Sequence, residues 1–289
     1  MSKMAKPAAR FAPEAQPPAA RKPALGYLPG PMRLHSLLAI ALLGLACSTG
    51  RTSLGGDVSY GETAEQDYRY GNEALKSKDY LEATKFFEHV RTKYPFSKYA
   101  ALADLRLADV KFDQDHFIEA ADAYAEFVKL RPNHESVDYA AFRVGLSYWK
   151  DAPGDFILFP PAYEKDLAQV RKAVKSLADF VRSYPRSSHR PEAEKLLEKA
   201  RGQLIDYEWY VAQFYARRGH WAGAAGRLEG LVKEYPDSPR EPAALYELAQ
   251  AYLKLDERFR ARQALQQLIV KHPRDERRAA AEKLLASLR

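Results

Sequence analysis

Residues 208–236 read EWYVAQFYARRGHWAGAAGRLEGLVKEYP, and the spacing within this stretch decides the fold. Counted back from Pro236, Ala212 and Tyr215 fall three apart and Ala224 and Leu228 four apart, so each pair shares one face of a helix. Placing Pro95, Pro132 and Pro273 at the position of Pro236 repeats the pattern elsewhere in the chain. Pro95 gives Gly71, Ala83 and Phe87; Pro132 gives Ala108, Ala120 and Tyr124; Pro273 gives Ala249, Tyr252, Ala261 and Leu265. The small residues mark places where two helices cross closely, and the large ones four residues on fill the groove between neighbouring hairpins. Gly71, Ala83, Phe87, Ala120, Ala224 and Ala261 are therefore packing residues, and function must be sought in what the repeat does not require.

A small residue, an aromatic, an alanine, a large apolar residue and a closing proline at a period of about 34 residues form the tetratricopeptide (TPR) pattern. The expected fold is all-α: a TPR-like α-solenoid of five helical hairpins from residue 62 onward, the third carrying a long inter-helix insertion. That third hairpin ends at Pro185, which places Ala173 and Leu177 on its second helix, but its first helix, around residues 142–148, begins too early. The surplus falls near residues 151–168, DAPGDFILFPPAYEKDLA, where Pro153, Gly154, Pro160 and Pro161 forbid a continuous helix. Phe156, Ile157, Leu158, Phe159 and Tyr163 make this loop too apolar for a plain solvated linker. It either packs back on the stack or meets a partner.

The 289-residue chain is 46% hydrophobic and 29% charged, enough to bury a core. Its net charge of +7 comes largely from residues 1–46, where Lys3, Lys6, Arg10, Arg21, Lys22 and Arg33 face only Glu14. The remainder is nearly balanced and offers no footprint for nucleic acid. The one cysteine, Cys47, rules out an internal disulfide and a cysteine-built metal site. It follows Met32-Arg33-Leu34-His35 and the apolar run LLAIALLGLA of residues 37–46, which reads as a secretory signal. That run is too short for a membrane-spanning helix, which needs about 20 residues. Gly44-Leu45-Ala46-Cys47 resembles a bacterial lipoprotein signal, in which the thiol is lipidated and becomes the mature N-terminus. Residues 1–31 then precede a complete signal and read as a misassigned N-terminal extension, with Met32 the ordinary start. Residues 32–46 are the signal peptide, and residues 47–61 are the lipidated cysteine and a small, polar, glycine-rich tether.

Three strings exceed a generic TPR. Lys93-Tyr94-Pro95-Phe96-Ser97-Lys98-Tyr99-Ala100 closes the first repeat, and Leu130-Arg131-Pro132-Asn133-His134 with Val137-Asp138-Tyr139 closes the second. The third runs from Tyr207 through Trp221 to Arg227-Leu228-Glu229-Gly230 and Tyr235-Pro236-Asp237-Ser238. Together with Cys47 and the interrupted third hairpin, they resemble the BamD family, lipoprotein subunits of the bacterial outer-membrane β-barrel assembly machine. Trp209 and Phe214 replace usual tyrosines of that family, and residues 222–226 are richer in alanine and glycine.

The resemblance implies a lipid-anchored outer-membrane scaffold facing the periplasm, with two working halves. Residues 62–135, repeats 1–2, would receive unfolded outer-membrane protein clients, with Tyr94, Phe96 and Tyr99 meeting an extended, aromatic-ended strand. Residues 136–289, repeats 3–5, would dock on the POTRA domains of a BamA-like β-barrel assembly protein, with other assembly lipoproteins as further partners. Arg218 and Arg227 would offer guanidinium forks to carboxylates there, and Tyr215 and Trp221 aromatic area. Plainer roles stand beside these: Tyr215 as the repeat's own aromatic, the two arginines as solvated charges, and Tyr94, Phe96 and Tyr99 as a staple between repeats.

No HExxH, GxSxG or P-loop pattern occurs, and the histidines are scattered, so neither catalysis, a metal nor a cofactor is expected. The competing reading is a periplasmic TPR adaptor that coordinates cell-wall synthesis and envelope constriction. Such adaptors are usually soluble and often begin with a coiled coil, whereas this chain has Cys47 and no sustained heptads before Glu62.

Overall fold

The computed structural model describes residues 58–154 and 165–288, and among these the regular structure is entirely helical. Cys47, the signal and most of the tether lie outside the described residues, as do Phe156, Ile157, Leu158, Phe159 and Tyr163. In chain order the helices are α1 (Ala64–Lys76), α2 (Tyr80–Lys93), α3 (Lys98–Asp113), α4 (Phe117–Leu130), α5 (Val137–Asp151) and α6 (Ala168–Ser183). They continue as α7 (Arg190–Arg217), α8 (Trp221–Glu234), α9 (Glu241–Lys254), α10 (Arg258–Lys271) and α11 (Arg278–Ala286). Each packs on the next, and α1 also reaches α3 and α5 reaches α7, which builds an inner layer from the first helices of successive pairs.

The turns within pairs share one construction. Lys78, Asp115, Gly219 and Asp256 each stand in the middle of a three-residue link with φ between 58° and 74°. The residue after each donates its N–H back to a carbonyl five residues earlier, as in Asp79 to Ala74 at 2.9 Å and His220 to Tyr215 at 3.0 Å. This left-handed closure satisfies the exposed carbonyls at a helix end and reverses the chain in minimal length. The α5–α6 link is longer, from residue 152 to residue 167, and residues 155–164 within it lie outside the described residues. Between pairs the stop is proline: Tyr94, Arg131, Tyr184, Tyr235 and His272 cap their helices immediately before Pro95, Pro132, Pro185, Pro236 and Pro273. A proline both lacks the N–H needed to continue the helix and drives the residue before it out of the helical region.

The register is visible in burial. Ala83, Ala120, Ala173, Ala224 and Ala261 are wholly buried, as are Phe87, Tyr124, Leu177 and Leu265. At Gly71 an added Cβ would lie 2.6 Å from Cε1 of Phe87, and at Gly145 one would lie 2.7 Å from the Leu177 side chain. Residues 222–226, where alanine and glycine replace bulkier residues, remain helical, with Ala224 and Ala225 buried and Gly223 lying under the Tyr215 ring.

Two features depart from a uniform array of hairpins. α7 runs for 28 residues, twice the length of α8, and its buried residues join three successive cores: Ala193 and Leu197 the first, Ala200 and Leu204 the second, Ile205 and Ala212 the third. After Pro191, in its first turn, no proline interrupts it, and Gly202 alone costs a helix only about 1 kcal/mol. α11, the last helix, packs on α10 and closes the final core through Ala281.

These contacts set two opposed expectations. Gly71→Ala should lose about 1–3 kcal/mol through overpacking against Phe87. Gly202→Ala, where nothing lies within 4 Å of the added carbon, should gain about 0.5–1 kcal/mol. Urea midpoints that move in opposite directions for the two variants check both.

Candidate functional site

At the early end, Tyr94, Phe96 and Tyr99 surround the proline turn between α2 and α3, but each has different neighbours. Phe96 is wholly exposed. Tyr99 packs its ring 5.5 Å from that of Tyr68, with Lys98 Nζ 5.1 Å from its centroid. It helps line a cavity of about 750 Å³ on the α1–α3 side with Tyr68, Arg69, Asn72, Lys76 and Arg106. Tyr94 turns its ring edge to His89 at 5.9 Å and donates its hydroxyl to the Glu62 carbonyl at 3.3 Å. The early end thus combines an aromatic projection, a groove lined by rings and cations, and a hydroxyl occupied by the chain just ahead of α1.

Beneath this surface lies a buried charge cluster that sequence reasoning did not find. Asp109 on α3 accepts from Tyr124 Oη at 2.5 Å, Tyr139 Oη at 2.7 Å and Arg106 Nη1 at 2.6 Å, with Arg143 Nη2 3.7 Å away. Arg143 also donates through Nε to Tyr124 Oη at 3.0 Å and lays its guanidinium 3.7 Å from the Phe112 centroid. One carboxylate thereby ties α3, α4 and α5 together. Burial, then the Asp109 charge, pushes the Tyr124 and Tyr139 hydroxyls far above the usual phenol range, so both stay protonated and donate. For Arg106, burial works against the charge, but Asp109 and the Tyr68 hydroxyl outweigh it and hold the guanidinium more firmly protonated. The usable signal was Tyr124 itself: a phenol at a wholly buried packing position needs a partner for its hydroxyl. Arg106 and Asp109, three apart, point towards the answer.

Two other buried acids act within pairs. Asp67 on α1 accepts from the Gly61 N–H at 2.6 Å and meets His89 Nδ1 of α2 at 2.8 Å. Glu241 on α9 accepts from Lys271 Nζ at 2.7 and 2.9 Å and from the Asp237 N–H at 2.7 Å, with His272 Nε2 at 3.2 Å.

At the late end, Tyr215, Arg218 and Trp221 gather at the α7–α8 turn. Tyr215 packs over Gly223, where an added Cβ would lie 3.1 Å from its Cγ, and meets the rings of Phe214 and His220 at 5.9 and 6.5 Å. Arg218, the exposed cap residue of α7, lies 3.8 Å from the Phe214 centroid, and no carboxylate among the described residues pairs with it. Trp221 opens α8, half-buried against the last core, with Lys254 Nζ 5.9 Å from its ring. Arg227 is held differently: its Nη1 donates to Glu208 Oε2 of α7 at 3.3 Å. Burial lowers its pKa, but Glu208 more than offsets this and the net shift is upward. Further along, Gln213 of α7 donates to Glu247 of α9, whose carboxyl is raised above its ordinary value by burial despite Gln213 and Arg277.

Among the described residues no group of three or more side chains could hold a metal ion, and no helix is long and apolar enough to cross a membrane. The family model YfiO, described as an outer membrane lipoprotein, matches residues 61–276. The outer membrane protein assembly factor BamD of Vibrio cholerae is 28% identical over 224 residues, covering 77% of this chain and 90% of its own. That of Neisseria gonorrhoeae is 26% identical over 229 residues, covering 77% and 86%. That of Haemophilus influenzae is 27% identical over 223 residues, covering 76% and 83%.

Removing the Asp109 charge leaves two part-buried guanidinium groups without their anion, so Asp109→Asn should cost about 2–4 kcal/mol, against about 1–2 kcal/mol for Tyr139→Phe. Chemical denaturation at pH 7 measures both. For Glu247 the folded pKa lies above the unfolded one, so its favourable share of stability is held at low pH and lost as pH rises through the folded value. Glu247→Gln should accordingly be more favourable relative to the parent at pH 7 than at pH 4.

Proposed function

The chain belongs to the YfiO family of outer membrane lipoproteins, and from that premise we propose that it is the scaffold subunit of an outer-membrane β-barrel assembly complex. Its role is in outer-membrane protein assembly, and it works by binding rather than by catalysis. In this reading Cys47 carries the lipid that holds it to the outer membrane, facing the periplasm. The late end docks on the POTRA domains of a barrel-forming partner through Tyr215, Arg218, Trp221 and Arg227. The early end receives unfolded outer-membrane proteins at Tyr94, Phe96 and Tyr99.

The observation that carries the docking half is the state of Arg218. Its guanidinium carbon lies over the Phe214 ring at the surface, with no carboxylate of the described residues on its donors. A stacked guanidinium loses little freedom on binding and keeps its edge for a bidentate contact, so an acidic side chain on a partner is its natural complement. Half-buried Trp221 beside it supplies the rigid aromatic area that concentrates binding energy. Arg227, already tied to Glu208, fits a supporting role at the rim of the same surface.

Detergent-solubilised membranes provide the test. The parent chain should co-purify with a POTRA-bearing barrel protein, and Arg218→Glu should cut that recovery more than tenfold, as expected for losing about 2 kcal/mol or more at a hot spot. Phe96→Ala should leave the recovery intact and reduce cross-linking to unfolded clients. A cell-wall synthase recovered in place of the POTRA protein would overturn the proposal.

A further inference from the structure

The chain just ahead of α1 is fastened to the early end by a set of contacts that packing alone does not require. The Tyr60 ring stacks on His89 at 3.9 Å with 19° between planes, and meets Phe86 edge-on at 5.9 Å. The Gly61 N–H donates to Asp67 Oδ1 at 2.6 Å, and the Glu62 N–H donates to Gln66 Oε1 at 2.8 Å. The Glu62 carbonyl accepts from Tyr94 Oη at 3.3 Å. At Gly61 the backbone runs so close that a Cβ would lie 2.8 Å from Cβ of Gln66.

In all three polar contacts the segment contributes main-chain groups. Main-chain contacts are the part of peptide recognition that any extended segment can reproduce, whatever its side chains. The aromatic slot between His89 and Phe86 is the part that selects. Tyr60 fills that slot incompletely and stays about 45% exposed. Asp67 is wholly buried, so losing the Gly61 N–H without a substitute would leave a buried carboxylate oxygen short of a donor, a costly state. An incoming main-chain N–H can take the place of that of Gly61 on Asp67, which favours exchange of one segment for another over simple departure. Tyr94, whose ring lies edge-on to His89 at 5.9 Å, is also one of the residues assigned to clients, and its hydroxyl cannot serve the Glu62 carbonyl and a client backbone on the same bond.

We propose that residues 59–62 are a displaceable strap, its Tyr60 occupying an aromatic slot of His89 and Phe86 that an aromatic side chain of an extended client segment takes on binding. This rests on the client-receiving role of the early end and adds an exchange to it. Client entry at the slot frees the strap, and the four released residues add about 13 Å of reach to the segment that leads to Cys47.

The full-length chain is titrated with a fluorescent ten-residue peptide of alternating apolar and polar residues ending in phenylalanine, and with the same peptide ending in alanine. Tyr60→Ala should bind the phenylalanine peptide about tenfold more tightly than the parent, Tyr60→Phe within about twofold of it, and the alanine peptide weakly to all three. In the parent, hydrogen exchange at the Gly61 and Glu62 amides should accelerate at peptide saturation. Equal affinity in parent and Tyr60→Ala, with the Gly61 amide still protected at saturation, overturns the strap while leaving the client role standing. Absence of binding to parent and Tyr60→Ala alike overturns the client role, and the exchange with it. Should Tyr60→Ala fold poorly, the exchange of Gly61 in the parent decides by itself.

Discussion

At five places in this chain two helices approach so closely that a methyl group is the largest side chain the contact admits: Ala83, Ala120, Ala173, Ala224 and Ala261 are wholly buried there. At Gly71 and Gly145 even a methyl group would collide with Phe87 or Leu177. The rest follows from that approach. Helices drawn so near leave grooves that only a large apolar residue one turn along can fill, which fixes Phe87, Tyr124, Leu177, Leu228 and Leu265. The turns must be short to keep the partners in reach, and the left-handed Lys78, Asp115, Gly219 and Asp256 make them so. With packing carried by so few positions, the outward faces are released for binding.

Where the repeat's own logic controls the chain, it was legible. The closing prolines, the crossing alanines and the surplus of sequence between α5 and α6 are local signals, each tied to a backbone or volume requirement. The length of α7 was harder, because only the long interval from Pro185 to Pro236 announced it and a helix with one interior glycine gives no positive mark of where a repeat boundary should fall. The Asp109 cluster was illegible for a different reason. Its members, Arg106, Tyr124, Tyr139 and Arg143, come from three helices and meet only after the fold has formed. A periodicity that marks Tyr124 as large and buried says nothing about the hydroxyl at its tip.

The candidate surfaces show the same division. Phe96 and Arg218 stand out at the surface as residues the repeat does not use. Tyr94, Tyr99 and Tyr215 do two things at once, since each packs against the stack while presenting polar or aromatic edge. Arg227 resembled Arg218 in sequence, yet Glu208, nineteen positions earlier on α7, changes its circumstances. Identical side chains thus differ in what remains to offer a partner, and only three-dimensional pairing tells them apart.

The doubled helix α7 has a mechanical meaning. At 1.5 Å per residue its 28 residues make a continuous rod of about 42 Å. Its first turns are embedded with α5 and α6 and its last with α8 and α9. A loop at this place would let the two groups of helices swing independently, since loops resist bending weakly. A helix resists it through every hydrogen bond along its length. α7 therefore serves as a gauge bar: the separation and relative twist of the helices it joins are set by a count of residues, and inserting or deleting even one within it would rotate one group against the other by about 100°.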